Sequence, residues 1–113
     1  MTSVVMMVGT PSEQALQLIG LAARAGAVAP GVERVRQKAR AGEIRFAIVA
    51  VDASHNTRNK LLPLLRARRL PHSVAYRRFE LGTALGRGGL SAVGITSESF
   101  ATRLAALLES ARK

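Results

Sequence analysis

Helix-forming and strand-forming patterns alternate along this chain, and this alternation constrains its fold more than any other feature. The strongest strand pattern is residues 46–51 (Phe-Ala-Ile-Val-Ala-Val), a continuous apolar run that is typical of a strand covered on both faces. Shorter strand patterns lie at residues 27–29, 73–76 and 90–95. We therefore predict an α/β fold with a sheet between layers of helices. We expect parallel pairing to dominate, with at least one edge strand antiparallel.

The helix patterns lie between these strands. Thr10, Pro11 and Glu13 form a helix start, in which Thr10 caps the free amides and Glu13 completes a capping box. Apolar residues continue along one face to Gly26, where we expect this first helix to end. Further helices are predicted near residues 32–41, after the polar turn 52–56, at residues 79–85, and after the capping residues Thr96 and Ser97.

The composition is that of one small domain with a packed core. The chain has 113 residues, of which 48% are hydrophobic, and this excludes a disordered basic tail. Cysteine is absent and the two histidines lie far apart, so we expect no metal and no cofactor. The run at 46–51 is far shorter than the roughly 20 residues that cross a bilayer, and residues 1–8 lack the basic leader of a signal peptide. We expect a cytoplasmic protein without a membrane partner.

The positive charge is concentrated in the middle of the chain. Residues 34–87 hold thirteen Lys or Arg against three acidic residues, which accounts for the whole net charge of +10. Charge that only keeps a protein soluble is spread out. Charge gathered in one span, on a chain with a pI near 11.8, indicates one face built for a polyanion. Nucleic acid is therefore the first candidate partner.

Three ordered segments resemble a known family. They are residues 18–26, LIGLAARAG; residues 46–54, FAIVAVDAS, followed by Asn56 and Thr57; and residues 80–86, ELGTALG. These segments are similar to the bacterial YlxQ branch of the ribosomal protein superfamily that binds kink-turn RNA, the superfamily of L-seven-Ae and L-thirty-e. The resemblance covers roughly residue 12 to the C-terminus and implies a three-layer α-β-α sandwich with a mixed sheet of about four strands. We divide the chain into an N-terminal extension of unknown role, residues 1–11, and a single domain, residues 12–113.

The resemblance also implies a function and a contact site. It implies a non-enzymatic, ribosome-associated protein that binds structured RNA, either ribosomal or another non-coding RNA, with kink-turn RNA among the candidates. In the RNA-binding members the second helix opens with a Gly-Thr-Asn-Glu-Thr-Thr-Lys type of sequence, which reads sheared G·A pairs. The matching stretch starts at Gly31, but Glu33 replaces the Asn, Arg34 the Glu and Gln37 the Lys. The base-reading set is not retained, so we expect phosphate contacts and the helix N-terminus to supply the affinity.

Three further arginines and a glycine complete the expected RNA site. Arg36 and Arg40 lie four residues apart and are predicted to share an outer stripe of the second helix. The family's second contact region corresponds to residues 86–90, where glycines let the backbone approach a sugar-phosphate chain and Arg87 supplies a fork of donors. The predicted contact set is Gly31, Glu33, Arg34, Arg36, Gln37, Arg40, Arg87 and Gly88.

Other patterns have simpler explanations. Asp52, Ser54 and His55 are the residue types of a hydrolase triad, but they are neighbours on a predicted turn, so we interpret them as helix caps. The glycines at 82–89 match neither the dinucleotide nor the Walker pattern, so we interpret them as turn and cap residues. With only four aromatic residues, stacking on bases is not a major binding mode.

Two alternatives stay open at this point. The arginines between residues 66 and 78 either widen the positive surface or only solubilise the end of the third helix. The second alternative concerns the function itself. A protein-interaction adaptor of the same fold would use the basic face to bind an acidic protein partner instead of RNA.

Overall fold

The computed structural model describes residues 9–112, and within this range helices and strands alternate as the sequence predicts. The helices are α1 Pro11–Arg24, α2 Val32–Arg40, α3 His55–Ala67, α4 Arg78–Ala84 and α5 Glu98–Ala111. The strands are β1 Val28–Pro30, β2 Phe46–Val49, β3 His72–Val74 and β4 Ala92–Ile95. Residues 1–8 of the predicted N-terminal extension lie outside the described range, so the division of the chain at residue 12 stays a prediction.

The four strands form one mixed sheet in the order β1-β4-β2-β3. Only β2 and β3 pair in parallel, whereas β4 pairs antiparallel with both β1 and β2. The prediction that parallel pairing dominates is therefore wrong, although the edge strand β1 is antiparallel to its neighbour as expected. The helices between β1, β2 and β3 return the chain so that these three strands run in one direction. The last strand then inserts between β1 and β2 in the opposite direction.

Helices cover both faces of this sheet. Every residue of β2 and of β4 is buried, as the continuous apolar run predicts for a central strand. Helices α1 and α5 pack against each other in one layer, whereas α2 packs against α3 and against β1 and β4. Helix α4 contacts α1 and β4. The architecture is the three-layer α-β-α sandwich that the family resemblance implies.

Helices α1 and α3 start with the capping groups that the sequence predicts, whereas Ser97, the N-cap residue of α5, makes no side-chain capping hydrogen bond. The Thr10 hydroxyl accepts a hydrogen bond from the Glu13 amide at 3.1 Å, and the Glu13 carboxylate accepts one from the Thr10 amide at 2.8 Å. Ser54 caps α3 by accepting from the Thr57 amide at 3.1 Å. Asp52 accepts from the amide of Arg78, the first residue of α4, at 2.8 Å. The interpretation of Ser54 as a cap of α3 is confirmed, whereas Asp52 binds the start of α4 and His55 is the first residue of α3, so neither caps the helix that follows the turn.

The charge lies on the surface of this fold. Among the described residues, the fully buried side chains are all hydrophobic, and no polar or charged residue belongs to that core. The basic residues of the middle span therefore decorate the sandwich instead of pairing inside it. Within residues 9–112, no helix is long and apolar enough to cross a membrane.

Candidate nucleic-acid interface

Helix α2 begins at a glycine that gives it no side-chain cap. Gly31 is the N-cap residue, with φ at +92°, a backbone conformation that favours glycine. Its amide donates to the Ala92 carbonyl at 2.8 Å, and its carbonyl accepts from the Val35 amide at 3.0 Å. The strand β4 thus holds the entry to α2 in place. The first-turn amides of α2 have no side-chain cap, which leaves this end suited to an anion.

The glycine loop, residues 86–90, is fastened to α4 at both ends. The Arg87 amide donates to the Gly82 carbonyl at 2.7 Å, and the Leu90 amide donates to the Arg78 carbonyl at 3.0 Å. Between these two hydrogen bonds, Arg87 and Gly88 are exposed. The loop therefore presents backbone and one guanidinium to solvent from a fixed base.

The two regions of the predicted contact set meet in the structure. A Cβ atom added to Gly31 would lie 3.8 Å from Cδ2 of Leu90, so the last residue of the glycine loop touches the entry to α2. Gly31 and Leu90 are 59 positions apart in the sequence, but β4 follows the loop and pairs beside β1. The uncapped start of α2 and the last residue of the glycine loop are consequently neighbours in the fold.

Two residues of the predicted contact set pair with each other. The Arg36 guanidinium donates from Nη1 to both carboxylate oxygens of Glu33, at 3.1 and 3.2 Å. Only 22% of the Arg36 side chain is exposed, against 76% for Glu33. Arg36 thus lies against the protein and offsets the charge of Glu33, and it does not extend freely toward a ligand. The spacing of three residues on a helix was the signal for this pair.

Other members of the set form an open stripe along α2. A shallow groove is lined by Glu33, Arg34, Gln37 and Arg40, and the last three are all exposed. Arg34 and Arg40 take part in no ion pair with any described residue. The stripe therefore offers two free guanidinium groups, one at each end, and an amide between them.

Most of the basic span is similarly unpaired. Among the described residues, its ion pairs are Arg36 with Glu33, Lys38 with Glu43 at 2.9 Å, and Arg45 with Glu98 at 3.8 Å. The other ten basic residues of the span have no acidic partner in the described part of the chain. Because these charges are not neutralised internally, the positive potential is available to a polyanion.

An exposed aromatic residue is a feature that the sequence did not reveal. Phe79 of α4 is 67% exposed and lies with Leu21, which is 45% exposed, on a groove of about 580 Å³ between α1 and α4. None of the predicted contact residues lines this groove. Its lining is mainly apolar and does not suit phosphate groups. The contact set lies on another surface, which is shallow and charged.

A relative of this chain is the curated RNA-binding protein YlxQ of Bacillus subtilis. The two are 30% identical over 92 residues, which is 81% of this chain and 92% of the relative. The chain belongs to the YlxQ family. A search of family models finds no match. Membership in the YlxQ family therefore rests on this pairwise similarity, which extends over most of both proteins.

Solved structures agree with the YlxQ-family fold. A protein of unknown function from Bacillus halodurans is 34% identical, with a TM-score of 0.80 over 84% of this chain and 96% of that one. The 15.5 kD RNA-binding protein of Giardia lamblia has a TM-score of 0.76 at 16% identity, over 94% of this chain and 91% of its own. At that identity, the Giardia protein shows the shared fold alone.

Proposed function

We propose that this YlxQ-family chain is a non-enzymatic protein that binds structured RNA, either ribosomal or another non-coding RNA. The main support for this proposal is the contact between Gly31, at the uncapped start of α2, and Leu90 of the glycine loop. The unpaired Arg34 and Arg87 lie on these two elements. The name of the Bacillus subtilis relative supports RNA as the polyanion.

The proposed mode of binding is contact with the sugar-phosphate backbone. The first-turn amides of α2 and the guanidinium groups of Arg34 and Arg40 are donors to phosphate oxygens. The backbone of the glycine loop can come close to a second stretch of the RNA strand, because Gly88 and Gly89 have no side chains. Contacts of this kind fix position and affinity but carry little sequence information.

Recognition of the RNA would depend on its shape. Where the family resemblance implies an Asn, this chain has Glu33, whose carboxylate is an acceptor and is already paired with Arg36. We propose that the protein recognises a kink-turn mainly by the bend of its backbone and to a lesser extent by its G·A pairs. We further propose that the protein acts in the cytoplasm in association with the ribosome, without a cofactor.

Salt dependence of RNA binding tests the proposal. A kink-turn stem and a plain duplex of equal length serve as probes, and binding is measured over a range of salt concentrations. If about four to eight phosphates are neutralised, the log-log slope is roughly −4 to −7. Arg34→Ala and Arg87→Ala each reduce the magnitude of the slope by about 1. Arg103→Ala, which removes an exposed charge from α5, is the matched control and leaves the slope unchanged.

The same experiment separates RNA binding from the adaptor hypothesis. A purified chain whose binding is flat from low to moderate salt, or which binds neither RNA, contradicts the proposal. A stable complex with an acidic protein in the absence of RNA affinity would then favour the adaptor.

A further inference from the structure

A group of arginines lies where α2 and α3 end side by side. Arg68, the C-cap residue of α3, donates from Nη1 to the carbonyl of Arg40, the last residue of α2, at 3.1 Å. Arg66 is in the last turn of α3 and Arg69 follows its cap. All four side chains belong to exposed residues. We call Arg40, Arg66, Arg68 and Arg69 the arginine ridge.

No acidic group of the described residues neutralises the ridge. None of its members is in an ion pair, and the sequence contains no Asp or Glu between residues 53 and 79. The acid nearest to Arg40 in the sequence is Glu43, which follows α2, and Lys38 already pairs with its carboxylate at 2.9 Å. Four like charges thus lie on the ends of two neighbouring helices without an ion-pair partner, which favours a positive potential there.

The end of α3 has an arginine where α1, α2 and α4 have a glycine. The residue after the C-cap has a positive φ in α1, α2 and α4, and it is glycine each time: Gly26 at +73°, Gly42 at +75° and Gly86 at +69°. In α3 the corresponding residue is Arg69, at +54°. This conformation is unfavourable for a residue with a Cβ atom. The backbone therefore gives no reason for an arginine at this position.

The ridge continues the stripe of α2. Arg34, Gln37 and Arg40 follow one another along the exposed side of the helix, and Arg40 belongs to both the stripe and the ridge. Arg34 and Arg40 are six positions apart on the helix, a rise of roughly 9 Å. An RNA backbone that starts at the N-terminus of α2 and follows the stripe reaches the ridge within a few nucleotides.

We propose that the arginine ridge is a second phosphate-binding site, which takes the backbone of a duplex arm flanking the RNA segment held at the start of α2. This inference rests on the proposed function and extends its contact surface beyond the predicted set. The ridge carries no aromatic residue, so it fits a paired arm whose phosphates face outward better than unpaired bases. Helix-end electrostatics is the competing explanation, because cations are favoured near helix C-termini.

Arg69→Gly separates the two explanations. It removes one charge while restoring the residue that this backbone favours, so the thermal midpoint stays equal or rises. The probe is a hairpin RNA with an arm of about twelve base pairs, compared with the same RNA trimmed to about four. For the long arm we expect roughly fivefold weaker binding at physiological salt and a slope reduced by about 1. For the short arm we expect neither the affinity nor the slope to change.

Arg66→Ala is the second variant and Arg103→Ala on α5 is the charge-matched control. Arg66→Ala should repeat the arm-dependent loss, and Arg103→Ala should bind both RNAs as the wild type does. Arg68 is left intact because it fixes the end of α2. If the ridge variants bind the long arm as tightly as the wild type, or lose equal affinity for both RNAs, the inference is overturned. A wild-type protein that binds neither hairpin overturns the proposed function as well.

Discussion

Gly82 of α4 lies directly against the carbonyl group of Gly88. A Cβ atom added to Gly82 would be 2.0 Å from that oxygen and 2.6 Å from its carbon. Only a hydrogen atom fits between helix and loop there. The Arg87 amide also donates to the Gly82 carbonyl at 2.7 Å. A hydrogen bond and a close packing contact therefore both join α4 to the glycine loop. The positions of Arg87 and Gly88 therefore depend on the glycine at position 82.

Gly82→Ala should disturb both the fold and the interface. The added methyl group meets backbone atoms that cannot rotate away, so the glycine loop must shift. We expect the free energy of unfolding to fall by about 1–3 kcal/mol, the usual range for overpacking. The shift also displaces Arg87, so RNA affinity should fall as well. Urea denaturation and RNA titration of the same preparation measure the two effects, and a fully stable variant would contradict the close packing described above.

Gly88→Ala is the matched substitution on the other side of this contact. A Cβ atom at Gly88 meets no atom within 4 Å, and its φ is not positive. The free energy of unfolding of Gly88→Ala should therefore stay within about 0.5 kcal/mol of the wild-type value. If RNA backbone approaches the glycine loop, the methyl group obstructs it and affinity falls. Unchanged affinity would mean that the loop touches RNA only through Arg87.

Local features of this fold could be predicted because each depends on residues close together in the sequence. The capping box of Thr10 and Glu13 and the fully buried strand β2 follow from spacing and from apolar runs. The glycine at position 26 marks the end of α1 for the same reason. The contact set at the start of α2 and in the glycine loop comes from the family resemblance and stays a prediction.

Long-range features could not be predicted from these patterns. The apolar content of β4 says that it is buried, but not that it inserts between β1 and β2. Helical connections favour parallel pairing of the strands that they join. Because β4 lies antiparallel between β1 and β2, most of the strand pairings in this sheet are antiparallel instead. The hydrogen bond from Arg68 to the Arg40 carbonyl joins residues 28 positions apart, so the arginine ridge became visible only in the fold.

Glu33→Asn should strengthen RNA binding. It removes a carboxylate, 76% exposed, from the first turn of α2, where phosphate is proposed to bind. It also frees the Arg36 guanidinium from its only ion pair among the described residues. We expect tighter binding to any structured RNA, by roughly threefold to tenfold, from the loss of like-charge repulsion.

An asparagine should also increase the preference for a kink-turn over a duplex, because the family resemblance implies Asn at this position in the members that bind kink-turn RNA. Titrations with the two RNAs measure both effects. Glu109→Gln in α5 is the control, since it also breaks an exposed pair of carboxylate and arginine, with Arg112, and should change neither affinity nor preference. Weaker binding by Glu33→Asn would argue that Glu33 itself contacts the RNA.

Tyr76 ties the segment after β3 to the first turn of α1. Its hydroxyl donates to the Ser12 carbonyl at 2.6 Å. Tyr76→Phe removes this hydrogen bond and leaves the ring in place, so we expect a loss of about 1 kcal/mol in the free energy of unfolding near neutral pH. RNA affinity should not change, because Tyr76 lies outside the predicted contact set.

The contribution of Tyr76 should disappear at high pH. Burial raises the pKa of its hydroxyl above the ordinary value near 10, and the charge of Glu80 adds to the rise. The unfolded chain thus releases this proton at a lower pH than the folded chain, so stability falls as pH rises above 10. The stability difference between wild type and Tyr76→Phe should be constant below that pH and shrink through the raised pKa.

Urea denaturation across the alkaline range measures this difference, and tyrosinate absorbance reports the titration directly because the chain has a single tyrosine. A difference that stays constant to the end of the titration would show that the hydroxyl does not stabilise the fold as a donor.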